Sequence, residues 1–343
     1  MMIGRRAAAW VAAALLLAGC NIGRGSRSAA PEPWTEARFA RKTLPTYRVK
    51  LDAGVPEDTV VGRVGTYKIR PGDTLLDVAR AYDVGYNEIV DANPGVDAWV
   101  PPVGAPVVLP TSWVLPCCRY EGLVMNIPEM RLYHYRRAAK DSDTLLVQTY
   151  PVGLGRTDRR TPRGRFKVKG KTVNPTWVIP ERIRQEHIAE HGDDRQAIAG
   201  GHPDNPLGKY RFELDRTLYR IHGTNFPWGI GRQVSHGCAQ LYPEDIAHLF
   251  PQVPVGTRVE FVYQPVKIGR DGGDTLVEAH RDIYKKRGKP LDQARTALKK
   301  QGLPADDARV QQAVSTPDGV PRPVHEGSRS RWPSWSEFWT KLF

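Results

Sequence analysis

The chain has 343 residues, with 50 lysines and arginines against 37 acidic residues, a formal net charge of +13 and four cysteines. That length suits two folded units with tails, and the charge suits acidic surroundings, yet no Cys/His finger or aromatic-interleaved basic strand marks a nucleic-acid partner. The 32 glycines and 29 prolines, with Val, Thr and Tyr recurring between them, argue against a helical bundle and for a mainly β chain rich in turns.

Arg5 and Arg6 precede a short apolar run from Ala7 to Leu17, which ends in Leu17-Ala18-Gly19-Cys20. The run is too short to span a bilayer as a mature helix, so residues 1–19 read as a removable export signal. The ending resembles the lipobox of bacterial lipoproteins. That resemblance implies a lipid-carrying Cys20 at the mature N-terminus, and Asn21 after it implies a periplasmic protein anchored to the outer membrane. An ordinary signal peptide cut near Ala18 is the alternative. Three cysteines remain, Cys117, Cys118 and Cys238, and an odd number leaves at least one thiol unpaired within the chain. Neighbours such as Cys117 and Cys118 rarely bridge each other, because the geometry is strained.

Residues 20–64 lack periodicity and read as a tether, with a short strand near Tyr47–Leu51. From 65 to 111 the pattern is strand, helix, helix, strand. Thr66-Tyr67-Lys68-Ile69-Arg70 alternates, Pro71-Gly72-Asp73 turns, and Thr74 or Asp73 caps a helix carrying Leu75, Leu76, Val78 and Ala79. A second short helix near Tyr86–Ala92 ends at Asn93-Pro94-Gly95, and Val107-Val108-Leu109 closes the unit. This βααβ unit resembles the LysM domain, which implies binding to glycan strands. A spacer without binding is the bland reading.

Residues 119–264 carry short alternating or apolar runs at 122–127, 131–135, 144–150, 164–169, 218–221 and 258–263, separated by turn residues, as in a β-sandwich or barrel. One helix opens after Pro243 with Glu244 and Asp245 in its first turn. Beyond it, residues 270–302 read as a helical extension, with amphipathic helices at 276–286 and 291–300. Residues 303–343 read as a disordered tail with an aromatic end in which Trp335, Phe338, Trp339 and Leu342 fall at helical spacing.

The chemistry concentrates in Tyr219-Arg220-Ile221-His222-Gly223-Thr224 and Gln233-Val234-Ser235-His236-Gly237-Cys238-Ala239-Gln240-Leu241. A thiol attacks as thiolate, and a nearby imidazole can supply that form. Gly223 and Gly237 permit sharp turns, and the amides of Gly237 and Cys238 can build an oxyanion hole. A zinc site of His222, His236 and Cys238 is a competing reading, but no fourth ligand stands at a common spacing. An inert buried Cys238 is the other. A papain-like arrangement fits poorly, because there the cysteine precedes the histidine.

These segments resemble the L,D-transpeptidase family with its YkuD-type catalytic domain, through His222-Gly223-Thr224 and Ser235-His236-Gly237-Cys238. Gly153-Leu154-Gly155, Thr161-Pro162-Arg163-Gly164, Asn174-Pro175-Thr176-Trp177, Asn205-Pro206-Leu207-Gly208 and Pro254-Val255-Gly256-Thr257 add to the match. The resemblance implies a YkuD-type β-sandwich without metal or cofactor. It implies that Cys238 is the nucleophile, that His222 is the base oriented by the Gly223 carbonyl, and that Ser235, His236 and Gly237 line the site. Thr224, Asn225, Trp228, Arg232 and Gln240 are then the expected substrate contacts. The implied reaction transfers the third-residue acyl group of a peptidoglycan stem, with release of D-alanine, to an amine of another stem or of an outer-membrane protein. Hydrolysis of the same bonds, or glycan binding without catalysis, are the alternatives. One departure stands out: the family usually has Arg where Gln240 stands. A bidentate carboxylate grip is thereby exchanged for a neutral amide.

Overall fold

Strands Gly122–Asn126 and Arg131–Arg137 lie in the middle of the main sheet, and residues 122–126 and 131–135 are buried without alternation because both faces of the sheet are covered. The computed structural model describes residues 44–140, 142–215, 219–327 and Trp332. The export segment, Cys20, the start of the tether, Leu218 and the rest of the aromatic end lie outside the described residues. The main sheet has ten strands. In spatial order they are Ala239–Gln240, Arg220–His222, Tyr210–Leu214, Gly164–Val173, Arg258–Val262, Gly122–Asn126, Arg131–Arg137, Thr144–Pro151, Tyr47–Asp52 and Val55–Pro56. The pairings are antiparallel except for Arg258–Val262 with Gly122–Asn126 and Arg220–His222 with Ala239–Gln240. The fold is thus mainly β, as the turn-rich composition indicates, and is built on one large mixed sheet.

One face of this sheet carries Leu123, Met125, Leu132, Phe212, Ile221, Ala239 and Phe261, closed over by Ile246 and Leu249 of the helix Pro243–Leu249. The other face carries Val124, Tyr133, Tyr135, Leu145 and Val147, and the LysM-like unit covers it with Leu75, Val78, Ala79 and Ile89. That unit forms the expected strand, helix, helix, strand: Gly65–Lys68, Leu75–Ala81, Tyr86–Asp91 and Pro106–Leu109. Its first helix starts in a capping box. The Thr74 hydroxyl accepts from the Asp77 amide at 3.1 Å, and the Asp77 carboxylate accepts from the Thr74 amide at 3.0 Å.

Two buried ion pairs join this unit to the sheet domain. Arg131 donates to Glu88 at 2.9 and 2.7 Å, and Arg80 donates to Glu244 at 2.8 Å through each of two nitrogens. Both arginines are almost wholly out of solvent. The start of the second helix also meets the loop that leads to Ser235. The Tyr86 amide donates to the Ile230 carbonyl at 3.1 Å and the Asn87 amide to the Gly231 carbonyl at 3.2 Å. A Cβ at Gly231 would lie 2.2 Å from the Tyr86 nitrogen, so only glycine fits there.

Three expectations are corrected. The tether does not extend to residue 64. Tyr47–Asp52 pairs with Thr144–Pro151 (Tyr47 opposite Val147), which covers an otherwise open sheet edge and buries Val49 and Leu51, and Val60 and Val61 are buried on the strand Val60–Gly62, paired with Ser112–Val114. Residues 276–286 are not helical. Asp274–Ala279 is a strand hydrogen-bonded to Val266–Asp271, and the two join through Gly272 and Gly273, both at positive φ. Such a glycine pair between two apolar runs is a hairpin signal that outweighs the helical spacing. Residues 303–327 are not a disordered tail. They form the helix Asp307–Ser315 and the strand Arg322–His325, which bury Val310, Ala313, Val314 and Val324 against the helix Pro290–Gln301 and the hairpin. Pro323 is tolerated because its strand is an edge.

Candidate active site

The strand Arg220–His222 pairs in parallel with Ala239–Gln240, with Ile221 opposite Ala239 and His222 opposite Gln240. Ile221 and Ala239 are wholly buried in the core. Side chains alternate along a strand, so Arg220, His222, Gln240 and the preceding Cys238 share the opposite face. On the other side, Arg211 of Tyr210–Leu214 stands opposite His222. The sheet therefore gathers His222, Arg220 and Arg211, the last donating to Glu213 at 2.6 Å, on the face toward which the strand after Cys238 leads, from two separate stretches of chain.

His222 is buried, and its Nδ1 lies 2.7 Å from the Gly223 carbonyl oxygen. A carbonyl only accepts, so Nδ1 carries the proton and Nε2 offers a lone pair. Burial pulls the imidazole down to about 4, against the smaller opposing effect of the Gly223 bond. Burial likewise pushes the Cys238 thiol up, while a backbone hydrogen bond from Arg220 and the charges of Arg220 and Arg211 act the other way. Burial thus disfavours the charged form of both groups, the thiolate of Cys238 and the imidazolium of His222.

The turn before Cys238 is held by Ser235. Its hydroxyl accepts from the Gly237 amide at 3.1 Å and donates to the Cys238 carbonyl at 2.7 Å. The Gly237 amide is therefore engaged inside the turn, which corrects its expected place in an oxyanion hole. Gly237 has φ +110°, and a Cβ on it would lie 2.3 Å from the Tyr219 ring, so the turn admits only glycine. His236, next to that turn, has a partner of its own. Its Nε2 lies 3.0 Å from the Glu186 carboxylate, on the helix Glu181–His191, which has no buried residue of its own. Arg159 donates to the same carboxylate at 2.9 Å. The ring thus latches an exposed helix to the turn before Cys238.

The five expected substrate contacts divide. Gln240 stays on the reactive face. Its backbone pairs with Gly153 in both directions at 2.9 Å, and its side-chain oxygen lies beside Gly153 and Gly229. Trp228 sits half-buried in the turn Pro227–Gly229. Thr224 is buried, with its hydroxyl accepting from the Phe226 amide at 2.9 Å, and Asn225 is exposed, donating to the Pro203 carbonyl at 3.0 Å; both brace the loop. Arg232 is drawn away. Its guanidinium stacks on the Tyr86 ring at 3.7 Å and lies 5.8 Å from that of Trp99, both in the LysM-like unit, where the flat cation gains more than it would in water. Arg211 was missed. The alternation Tyr210-Arg211-Phe212-Glu213-Leu214 signals it, but only pairing shows which face meets His222.

Among the described residues, the side chains that converge like metal ligands are Glu129, Glu278 and His280. The Lys267 ammonium lies 2.8 Å from Glu129 and 2.7 Å from Glu278, so a built-in cation already bridges these two carboxylates.

Residues 121–267 match the L,D-transpeptidase catalytic domain and residues 67–110 match the LysM domain. The chain is 36% identical over 282 residues to the probable L,D-transpeptidase ErfK/SrfK of Escherichia coli K12, covering 79% of this chain and 89% of that protein. It is 40% identical over 228 residues to the probable L,D-transpeptidase YbiS of the same strain, covering 65% and 72%. To the probable L,D-transpeptidase YcfS it is 38% identical over 220 residues, covering 63% and 67%. The catalytic-domain match includes every strand that carries the His222 and Cys238 face, and the chain belongs to the L,D-transpeptidase family.

Proposed function

We propose that this protein is a peptidoglycan L,D-transpeptidase in which Cys238 is the nucleophile and His222 the general base. The observation that carries this reading is the Nδ1–H to Gly223 carbonyl bond at 2.7 Å, which fixes the tautomer whose Nε2 can take a proton, on the strand beside Cys238. As Sγ attacks the carbonyl of the third stem residue, its proton passes to Nε2. The negative charge on the carbonyl oxygen faces the Cys238 amide, with the charges of Arg220 and Arg211 nearby. The imidazolium then returns the proton to the departing D-alanine nitrogen as the peptide bond breaks, leaving a thioester. An acceptor amine, deprotonated by His222, attacks the thioester and restores the thiol. One amide is exchanged for another, so no external energy source enters.

The LysM-like unit supplies the hold on glycan strands, and residues 1–20 supply export and a lipid anchor at Cys20, which places the reaction on the periplasmic side of the outer membrane. Acceptors are the amine of another stem or of an outer-membrane protein. The test incubates the full chain, in detergent, with disaccharide-tetrapeptides and follows products by mass spectrometry beside Cys238→Ala. A dimer lacking one D-alanine, absent from the mutant, is the expected result. Turnover by the mutant, or no acyl transfer by the wild-type chain to stem, protein or water, rejects the reading.

A further inference from the structure

Tyr284 lies beyond the matched catalytic domain, in the chain that follows the C-terminal hairpin, yet it is only 3% exposed and packs into the main core. Its hydroxyl donates to the Gly155 carbonyl at 2.7 Å and accepts from the Thr161 amide at 3.1 Å. The Thr161 hydroxyl in turn accepts from the Gly155 amide at 3.0 Å and donates to the Gly237 carbonyl at 3.0 Å. Both hydroxyls are thereby satisfied as donor and acceptor, so the chain of bonds has one direction and no slack. It ends on the residue before Cys238, in a turn that already has a left-handed glycine and a single bracing serine.

Tyr284 is itself held in place. Its amide donates to the Tyr263 hydroxyl at 2.9 Å, its ring lies 6.2 Å from that of Tyr263, and the Tyr263 hydroxyl donates to Asp282. The Asp282 carboxylate also accepts from the amides of Lys286 and Arg287 at 3.0 and 2.7 Å. The loop it braces is close-packed: a Cβ at Gly155 would lie 2.0 Å from the Arg159 carbonyl and 2.8 Å from the Gly237 Cα.

We propose that Tyr284 is a positioning residue for the reaction, holding the Cys238 turn through Thr161 and thereby making the C-terminal segment part of the active site's support. This rests on the reading of Cys238 as nucleophile. Removing the hydroxyl leaves a buried amide and a buried carbonyl unpartnered and frees the turn to drift, and small displacements of a reacting group are costly in rate.

The test uses the full chain with Tyr284→Phe, Thr161→Val, Thr161→Ser, the Tyr284→Phe/Thr161→Val double variant and Cys238→Ala. Steady-state dimer formation gives kcat and KM, and mass spectrometry of the Cys238 peptide gives the pH profile of its alkylation by iodoacetamide. Tyr284→Phe and Thr161→Val are expected to lower kcat by about tenfold or more, with KM changed less than about threefold and the midpoint of Cys238 alkylation displaced. Thr161→Ser, which keeps the hydroxyl, is expected within about threefold of wild type, and the double variant no worse than the worse single by more than about twofold. A Tyr284→Phe protein with wild-type kcat and alkylation profile overturns the proposal. So do multiplying effects, or a loss that only follows the folded fraction in thermal melts. If Cys238→Ala turns over, the reading of the nucleophile fails first. If Cys238→Ala is inactive and Tyr284→Phe is not impaired, this inference fails alone.

Discussion

The reactive face and the seam beneath the LysM-like unit use buried polar groups in opposite ways. At the seam, charges are kept and paired: Arg131 with Glu88 and Arg80 with Glu244, each through two bonds of 2.7 to 2.9 Å. At the reactive face, burial works against charge on either group, raising the Cys238 thiol and lowering the His222 imidazole. A fixed pair of full charges suits a joint that must not move, because breaking either half strands the other in a dry interior. A neutral pair suits a site whose proton must move, because neither group is locked in one protonation state.

The sharpest way to break this contrast is to remove the mobile proton. Cys238→Ala and His222→Ala should each lower turnover by about a thousandfold or more while leaving thermal unfolding close to wild type, as scored by muropeptide dimers and melting curves. The thiol should also be acylated by a carbapenem, as the family resemblance implies. Intact-mass spectra of an active preparation that show no adduct would count against Cys238.

The seam should fail in stability rather than in chemistry. Arg131→Met leaves Glu88 buried without its cation and should cost about 3 to 5 kcal/mol in denaturant unfolding, whereas the Arg131→Met/Glu88→Leu double variant should recover part of that loss. Equal destabilisation by the single and double variants would mean that the pair is not what holds the units together.

The contrast also has a pH signature. The folded His222 lies near 4, below the ordinary value of about 6.5. The unfolded chain then binds a proton that the folded chain refuses. The neutral imidazole's stability is complete above about pH 6.5 and declines as pH falls toward about 4. Buried His134, also pulled to about 4 by desolvation, adds to the same window. On the acid side, activity should hold through about pH 5 and fall near 4, and a pH–rate limb near 6.5 instead would show a charged or exposed imidazole.

The smallest effect belongs to the surface latch. Glu186→Gln weakens the bonds to His236 and Arg159, but the groups are partly exposed, so stability should change by less than about 1 kcal/mol in melts. A large loss of turnover in Glu186→Gln would show that the helix Glu181–His191 governs access to Cys238.

The LysM-like unit and the reactive segments were legible because their signals are local: a capping residue, a glycine at a sharp turn, a histidine and a cysteine in short motifs. The errors arose where a segment's state depends on a distant partner. Asp274–Ala279 reads helical until its hairpin partner Val266–Asp271 is in place. Residues 303–327 look too polar and proline-rich to fold until the helix Pro290–Gln301 offers an apolar face.

By itself, then, the sequence determined the family, the βααβ unit, the mainly β class and the two short segments around His222 and Cys238 on which the proposed chemistry rests, because each is written in residues close together along the chain. Only the tertiary structure decided that residues 47–62 belong to the fold, that Arg232 serves the seam, that His236 faces Glu186, that Arg211 stands opposite His222, and that Thr161 and Tyr284 brace the Cys238 turn. The physical reason is sheet pairing. Hydrogen bonds between strands far apart in sequence fix which side chains share a face, and no local pattern encodes that register.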